Sequence, residues 1–164
     1  DSNIFVIGKT TGHLHQSELF RYVLNYKDGP APDINLFNEK NNGLQIQKLI
    51  SKKLLNSVHD VSSGGIIVTL SEMCIENNIG AKINLPKTKI STNEYLFAED
   101  QSRYLIEVSE KNKKEVAKIL DNNSVYYEII GKTQKDELII ENIFKIKVSK
   151  LKELNNAWFN NYFN

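Results

Sequence analysis

The chain has 164 residues, 40% hydrophobic and 25% charged, with a formal net charge of +1 at pH 7. That composition supports a real core in a single domain covering residues 1–164, and it leaves no excess positive charge for a nucleic-acid surface. A lone cysteine, Cys74, excludes an internal disulfide and fits a reducing compartment, and no apolar run approaches the ~20 residues of a membrane span. With no signal peptide visible, a cytoplasmic protein is expected. The chain starts inside strand-like sequence and its one methionine is Met73, so it reads as a piece of a longer polypeptide.

In chain order, "NIFVIGK" (3–9) is short, apolar and β-branched, and reads as a buried strand ending at Gly8. Gly12 breaks the pattern, and Ser17 is placed to cap a helix carrying Leu19, Phe20, Val23 and Leu24 on one side. "KDGPAPD" (27–33) is a loop. A long amphipathic helix follows over about 36–55, with Leu44, Leu49 and Leu54 inward and Gly43 as its weak point. "SVHDV" is a short strand, and "GGIIVTLSEMCIEN" is a helix with a core stripe of Ile66, Leu70, Met73 and Cys74. On that stripe Cys74 reads as an inert core thiol.

"GAKINLP" (80–86) alternates like a half-buried strand. "STNEYLFAED" is a short helix or loop leading into the strand "SRYLIEVS". "EKNKKEVAKIL" is a helix with Val116, Ile119 and Leu120 inward, so its lysines form a solvated face and not a DNA patch. "SVYYEIIGKT" is a strand ending at Gly131. "DELIIENIFKIKV" is a hairpin turning near Glu141 and Asn142, and Ser149 caps a closing helix. On that helix Trp158, Phe159, Tyr162 and Phe163 recur at core or interface spacing. The expected fold is α+β: a mixed sheet with helices on both faces, partly ferredoxin-like in the C-terminal half, with extra helices at the front.

Three stretches carry candidate chemistry. In "HDVSSGG" a strand ends at Asp60 before Ser62, Ser63, Gly64 and Gly65 open a helix. Bare helical N–H groups and glycines there suit a phosphate, and Asp60 suits the Mg²⁺ that accompanies one. From spacing alone, a serine cap and close packing of the glycines come first. In "LFAEDQSRYLIEV", Glu99, Asp100 and Gln101 stand at a strand mouth, either as ligands to a metal or hydroxyls or as a polar solvent-facing loop. In "GKTTGHLHQSEL", Lys9, His13, His15 and Ser17 surround Gly8 and Gly12. The distant His59 and the lack of a cysteine partner argue against zinc, and no nucleophile elbow supports a Ser17–His59–Asp60 triad.

Together, in this order and spacing, the three motifs resemble the C-terminal domain of the AIR synthase-related proteins, in particular that of the synthetase subunit of phosphoribosylformylglycinamidine synthases. The resemblance covers nearly the whole chain. It implies an enzyme that turns formylglycinamide ribonucleotide into the amidine with ATP, Mg²⁺ and glutamine-derived ammonia. It implies as partners the remaining domains of the same polypeptide and a glutaminase domain or subunit, with neither nucleic acid nor membrane. Within it, this domain is expected to be structural or to serve an auxiliary nucleotide site, and to be inactive alone. Ser62, Ser63, Gly64, Gly65, Gln101, Lys9, His13 and Ser17 become nucleotide or phosphate candidates, and Asp60, Glu99 and Asp100 metal candidates; no catalytic residue is expected. Ala98, Ser102 and His15 stand where such relatives carry glycine. The alternatives are a sibling domain, as in AIR synthase or selenophosphate synthetase, or an interaction module without ligand.

Overall fold

The computed structural model describes residues 1–163, without the side chains of Asn160, Asn161 and Phe163. Its strands are β1 (Ser2–Ile7), β2 (Ser57–Asp60), β3 (Gly80–Ile83), β4 (Tyr104–Ser109), β5 (Tyr127–Gln134), β6 (Glu137–Ile140) and β7 (Phe144–Lys147). Its α-helices are α1 (Leu36–Ser51), α2 (Gly65–Asn77), α3 (Thr92–Phe97), α4 (Lys113–Asn122) and α5 (Val148–Phe163).

The strands form one sheet in the order β2-β4-β1-β5-β3-β6-β7. All neighbours run antiparallel except β3 and β6, so the sheet is mixed as expected. The run β1-α1-β2, then β4-α4-β5, with spatial order β2-β4-β1-β5, is a split βαβ unit of ferredoxin-like type. Its second half, β4-α4-β5, lies in the C-terminal half of the chain as the sequence placed it, while its first half, β1-α1-β2, comes from the front, where extra helices were expected. What is added is the inserted α2-β3-α3 segment and the closing β6-β7-α5. Strands that pair across long separations leave no local mark of which partner they choose.

The two faces are read off β1. Ile4 and Val6 point to one side, where α2, α3 and the first turn of α5 bring Ile66, Leu70, Cys74, Leu96 and Val148. Phe5 and Ile7 point to the other, against Ile46 and Leu49 of α1 and Val116 and Leu120 of α4. Each such side chain, fully buried, contributes about 1.5–3 kcal/mol. The Cys74 thiol is pushed up to about 11 by burial, which fits the inert core reading.

Several local expectations need correcting. Past Ser17 the chain makes only a five-residue π-turn (Leu19–Val23), with Tyr22, Val23 and Leu24 exposed. Leu44 is 49% exposed, because α1 turns Asn42, Gln45, Ile46 and Leu49 inward instead; α1 ends at Ser51, and Leu54 is buried beyond it. β5 does not stop at Gly131. A Cβ there would lie 2.1 Å from the Lys82 carbonyl oxygen, so this glycine permits close strand approach beside a register shift and is no terminator. β3 ends at Ile83, short of Pro86. α5 starts at Val148, which puts Ser149 inside the helix and not before it. Trp158, Phe159 and Tyr162 are exposed, which excludes the core reading for them; the expectation for Phe163 lies outside the described side chains.

Candidate functional site

The three motifs meet. β1 delivers Lys9 to His13 beyond its end, β4 begins just after residues 99–103, and β2 runs into the Gly64–Gly65 corner. Antiparallel pairing sets Ile7 opposite Tyr104 and Asp60 opposite Tyr104, which brings these termini together.

Asp100 is the hub. It is 6% exposed and accepts from the backbone N–H of Thr11 (2.9 Å), Gly12 (3.1 Å) and His13 (3.4 Å), and from the Thr11 hydroxyl. Three successive N–H groups around one carboxylate form an anion nest that the chain fills itself. Arg103, 1% exposed, braces the turn from below: Nε donates to the Asp100 carbonyl (3.1 Å), one terminal nitrogen to the Ala98 carbonyl (2.6 Å) and the other to the Thr10 hydroxyl (3.1 Å). Burial pulls the guanidinium below its ordinary value, and the Asp100 carboxylate at 4.0 Å opposes that shift.

Glu99 does the same for the glycine corner. One carboxylate oxygen accepts from Gly64 N–H at 2.8 Å and from Glu18 N–H at 2.7 Å. Gly64, in left-handed conformation, is the N-cap of α2 and has no side-chain cap of its own. The expected cap by Ser62 or Ser63 is therefore supplied from elsewhere, and both serines are exposed. Gly65 is needed for approach: at φ +69°, a Cβ would sit 2.6 Å from the Ala98 and 2.7 Å from the Leu96 carbonyl oxygens.

Ser17 is buried and tied locally, donating to the Leu14 carbonyl (2.6 Å) and accepting from Phe20 N–H (3.3 Å). The Asp60 side chain is 66% exposed at the mouth of edge strand β2, with His59 at 3.5 Å; His59 also reaches Glu72 at 3.7 Å. Among the described residues no three of the His, Cys, Asp and Glu side chains gather as a metal group. Both Asp100 oxygens and one Glu99 oxygen already accept hydrogens from the chain, and Asp60 is the most exposed carboxylate of the three.

A polar cleft of about 390 Å³ is lined by Lys9, His13, Gln101 and Ser102, with Asn35, Asn38 and Asn42 of the α1 end opposite. Of Ala98, Ser102 and His15, only Ser102 has positive φ (+63°). Its carbonyl accepts from Asn42 (2.9 Å), and its hydroxyl donates to Glu39. Ala98 is in ordinary extended backbone and fully buried. Thr11, Asn42 and Arg103 were missed by sequence reasoning. Arg103 alone had a signal, since a charged residue at the entry of a strongly apolar strand must be paired to be buried.

The chain matches the family model "AIR synthase related protein, C-terminal domain" over residues 4–141. It is 49% identical to the phosphoribosylformylglycinamidine synthase subunit PurL of Pelagibacter ubique (strain HTCC1062) over 162 residues, covering 99% of this chain and 22% of that protein. Among solved structures it resembles T. maritima PurL complexed with FGAR (TM-score 0.73, 16% identity, 92% of this chain and 28% of that one). It also resembles T. maritima PurL complexed with ATP (TM-score 0.71, 16% identity, 92% and 25%). The chain thus spans about a fifth of the curated relatives it matches. A shared fold, the three motifs joined at one end of the sheet and a match over most of the length lead to one statement: the chain belongs to the AIR synthase related proteins, as their C-terminal domain.

Proposed function

We propose that this chain is the C-terminal domain of an ATP-dependent purine-biosynthetic synthetase. That enzyme converts formylglycinamide ribonucleotide, glutamine-derived ammonia and ATP to formylglycinamidine ribonucleotide, with Mg²⁺. The domain itself is mainly structural. The observation that carries this reading is that Glu99 and Asp100, the acids placed to meet ligands, instead bind backbone N–H groups 81, 35 and 89 residues away. The motifs of a ligand-binding family are used here to fasten three loops to one another.

The remaining domains of the same polypeptide are the first partner. The stretch from Tyr22 to Phe37 exposes Tyr22, Val23, Ile34, Leu36 and Phe37, between 66% for Ile34 and 76% for Leu36. Apolar surface of that extent suits a covered interface. A glutaminase domain or subunit is the second partner, and a cytoplasmic location follows from the pathway.

An auxiliary nucleotide role is the second reading, favoured by the cleft that gathers Lys9, His13 and Gln101. There Lys9 and Gln101 would hold phosphate oxygens, and Asp60 with Ser62 and Ser63 stays open at the neighbouring corner.

Two measurements test the proposal. The 164-residue chain alone should hydrolyse no ATP; turnover that disappears in Asp60→Asn would overturn the structural role. A PurL-type synthetase carrying this chain in place of its own last domain should restore growth of a purine auxotroph. A chimaera that folds yet fails to do so would count against the assignment.

A further inference from the structure

A second concave site lies on the other side of the β1 loop. The residues after β1 and the connection from β3 to α3 face each other across a cleft of about 410 Å³. Lys9 enters from one wall, Lys87 and Lys89 from the other. These residues are far apart in sequence and meet only through the fold. Among the described residues no carboxylate lies within ion-pair distance of any of the three amines.

The single acid in the lining is Glu128. Both of its oxygens are engaged, one by the Tyr95 hydroxyl at 2.8 Å and the other by the Tyr126 hydroxyl at 2.9 Å. It is held by the two tyrosines and makes no ion pair with the lysines. Three lysines lining one hollow raise a positive potential that a concave wall concentrates. Each carries three donors and matches a point-like, multiply charged oxyanion better than a flat carboxylate. Thr10, whose hydroxyl oxygen accepts from Arg103, belongs to the same lining. The volume is that of a small-molecule site and exceeds what one phosphate fills.

We infer that the Lys9–Lys87–Lys89 cleft binds a phosphoryl anion, either free phosphate or the phosphate of a small phosphorylated metabolite. The site goes beyond the function proposed above. It shares only Lys9 and Thr11 with the Gln101 cleft and nothing with the Asp60 corner.

The test is titration of the chain with inorganic phosphate and, separately, with AMP, followed by amide NMR shifts. Saturable shifts around residues 9–11 and 87–90 are expected, with a Kd on the order of 1 mM or tighter. Lys87→Gln and Lys89→Gln, both at exposed positions, should each weaken binding about three- to tenfold, and added salt should weaken it further. The β7 substitution Lys145→Gln should leave it unchanged. AMP binding more tightly than phosphate identifies a phosphorylated metabolite; equal affinity identifies free phosphate. Absence of saturation with either probe up to about 20 mM, or unchanged affinity in the Lys87→Gln/Lys89→Gln double variant, overturns the site.

Discussion

Replacing Glu99 by alanine removes the acceptor that two backbone N–H groups share, those of Glu18 and Gly64. A hydrogen bond to a charged partner contributes about 1.5–3 kcal/mol when buried. Glu99 is only half-buried, so water can reach part of the vacated site and the lower end applies to each bond. Loss of a negative charge at the N-terminus of α2 adds about 0.5 kcal/mol. The sum predicts that Glu99→Ala destabilises the chain by about 2–4 kcal/mol. Glu99→Gln keeps an oxygen that accepts both bonds and loses only their charge, so about 1 kcal/mol is expected. Urea unfolding followed by far-ultraviolet circular dichroism gives both values from the midpoints at unchanged slope. Amide exchange should quicken first at Gly64 and Glu18 in the alanine variant. If Glu99 were instead held ready for a ligand, its removal would leave stability unchanged or raised, as at sites where function is kept against stability. An alanine variant within about 0.5 kcal/mol of the parent, or a glutamine variant as damaged as the alanine one, refutes the fastening role.

Two glycines should respond in opposite directions. Gly65→Ala meets carbonyl oxygens at 2.6 and 2.7 Å at a positive φ and should cost about 2–4 kcal/mol, whereas Gly43→Ala lies mid-helix with its nearest contact, the Tyr104 hydroxyl, at 3.5 Å and should stabilise by about 0.5–1 kcal/mol. The same urea assay checks both, and equal effects would mean that the α2 corner tolerates side chains after all. The third expectation concerns pH. Hydrogen bonds from the Ser91 backbone N–H, and then its side chain, hold the Glu94 carboxyl below its usual value in the capping box of α3. A depressed folded-state pKa gives stability that is present above the unfolded value and is lost as pH falls through the folded one, so the benefit should fade between about pH 5 and 3. In Glu94→Gln that component of the slope should vanish; a parent-to-variant difference that stays constant across the window would contradict the linkage.

Much of the fold is written locally. The β-branched run of β1, the alternation into β4 and the Ile66–Leu70–Cys74 stripe each predict their element, because the residues that form them also bury it. The α1 stripe was misread at Leu44 because the polar Asn42, which donates to the Ser102 carbonyl, and Gln45 take buried places that apolar periodicity does not see. The candidate site shows the same limit more sharply. That residues 9–13, 60–65 and 99–103 belong together was legible from their motifs. That Glu99 and Asp100 face backbone and not ligand was not, since their partners are N–H groups, which every residue but proline carries and no sequence distinguishes. Arg103 is the exception that could have been read: it sits between a turn and an apolar strand, and an arginine buried there needs oxygens on several sides.

The Glu99 carboxylate reaches the Gly64 amide through the chain, so its presence there is a matter of tethering and not of supply. A group held by its own polypeptide acts at an effective concentration of millimolar or higher, and in a folded frame it does not diffuse away. A phosphate arriving from solution would have to displace it and reopen the contact to Glu18 as well. The α2 corner is therefore capped from within the chain, by a carboxylate that also holds the Glu18 backbone. A domain built in this way keeps three loops that are distant in sequence in register through a single side chain.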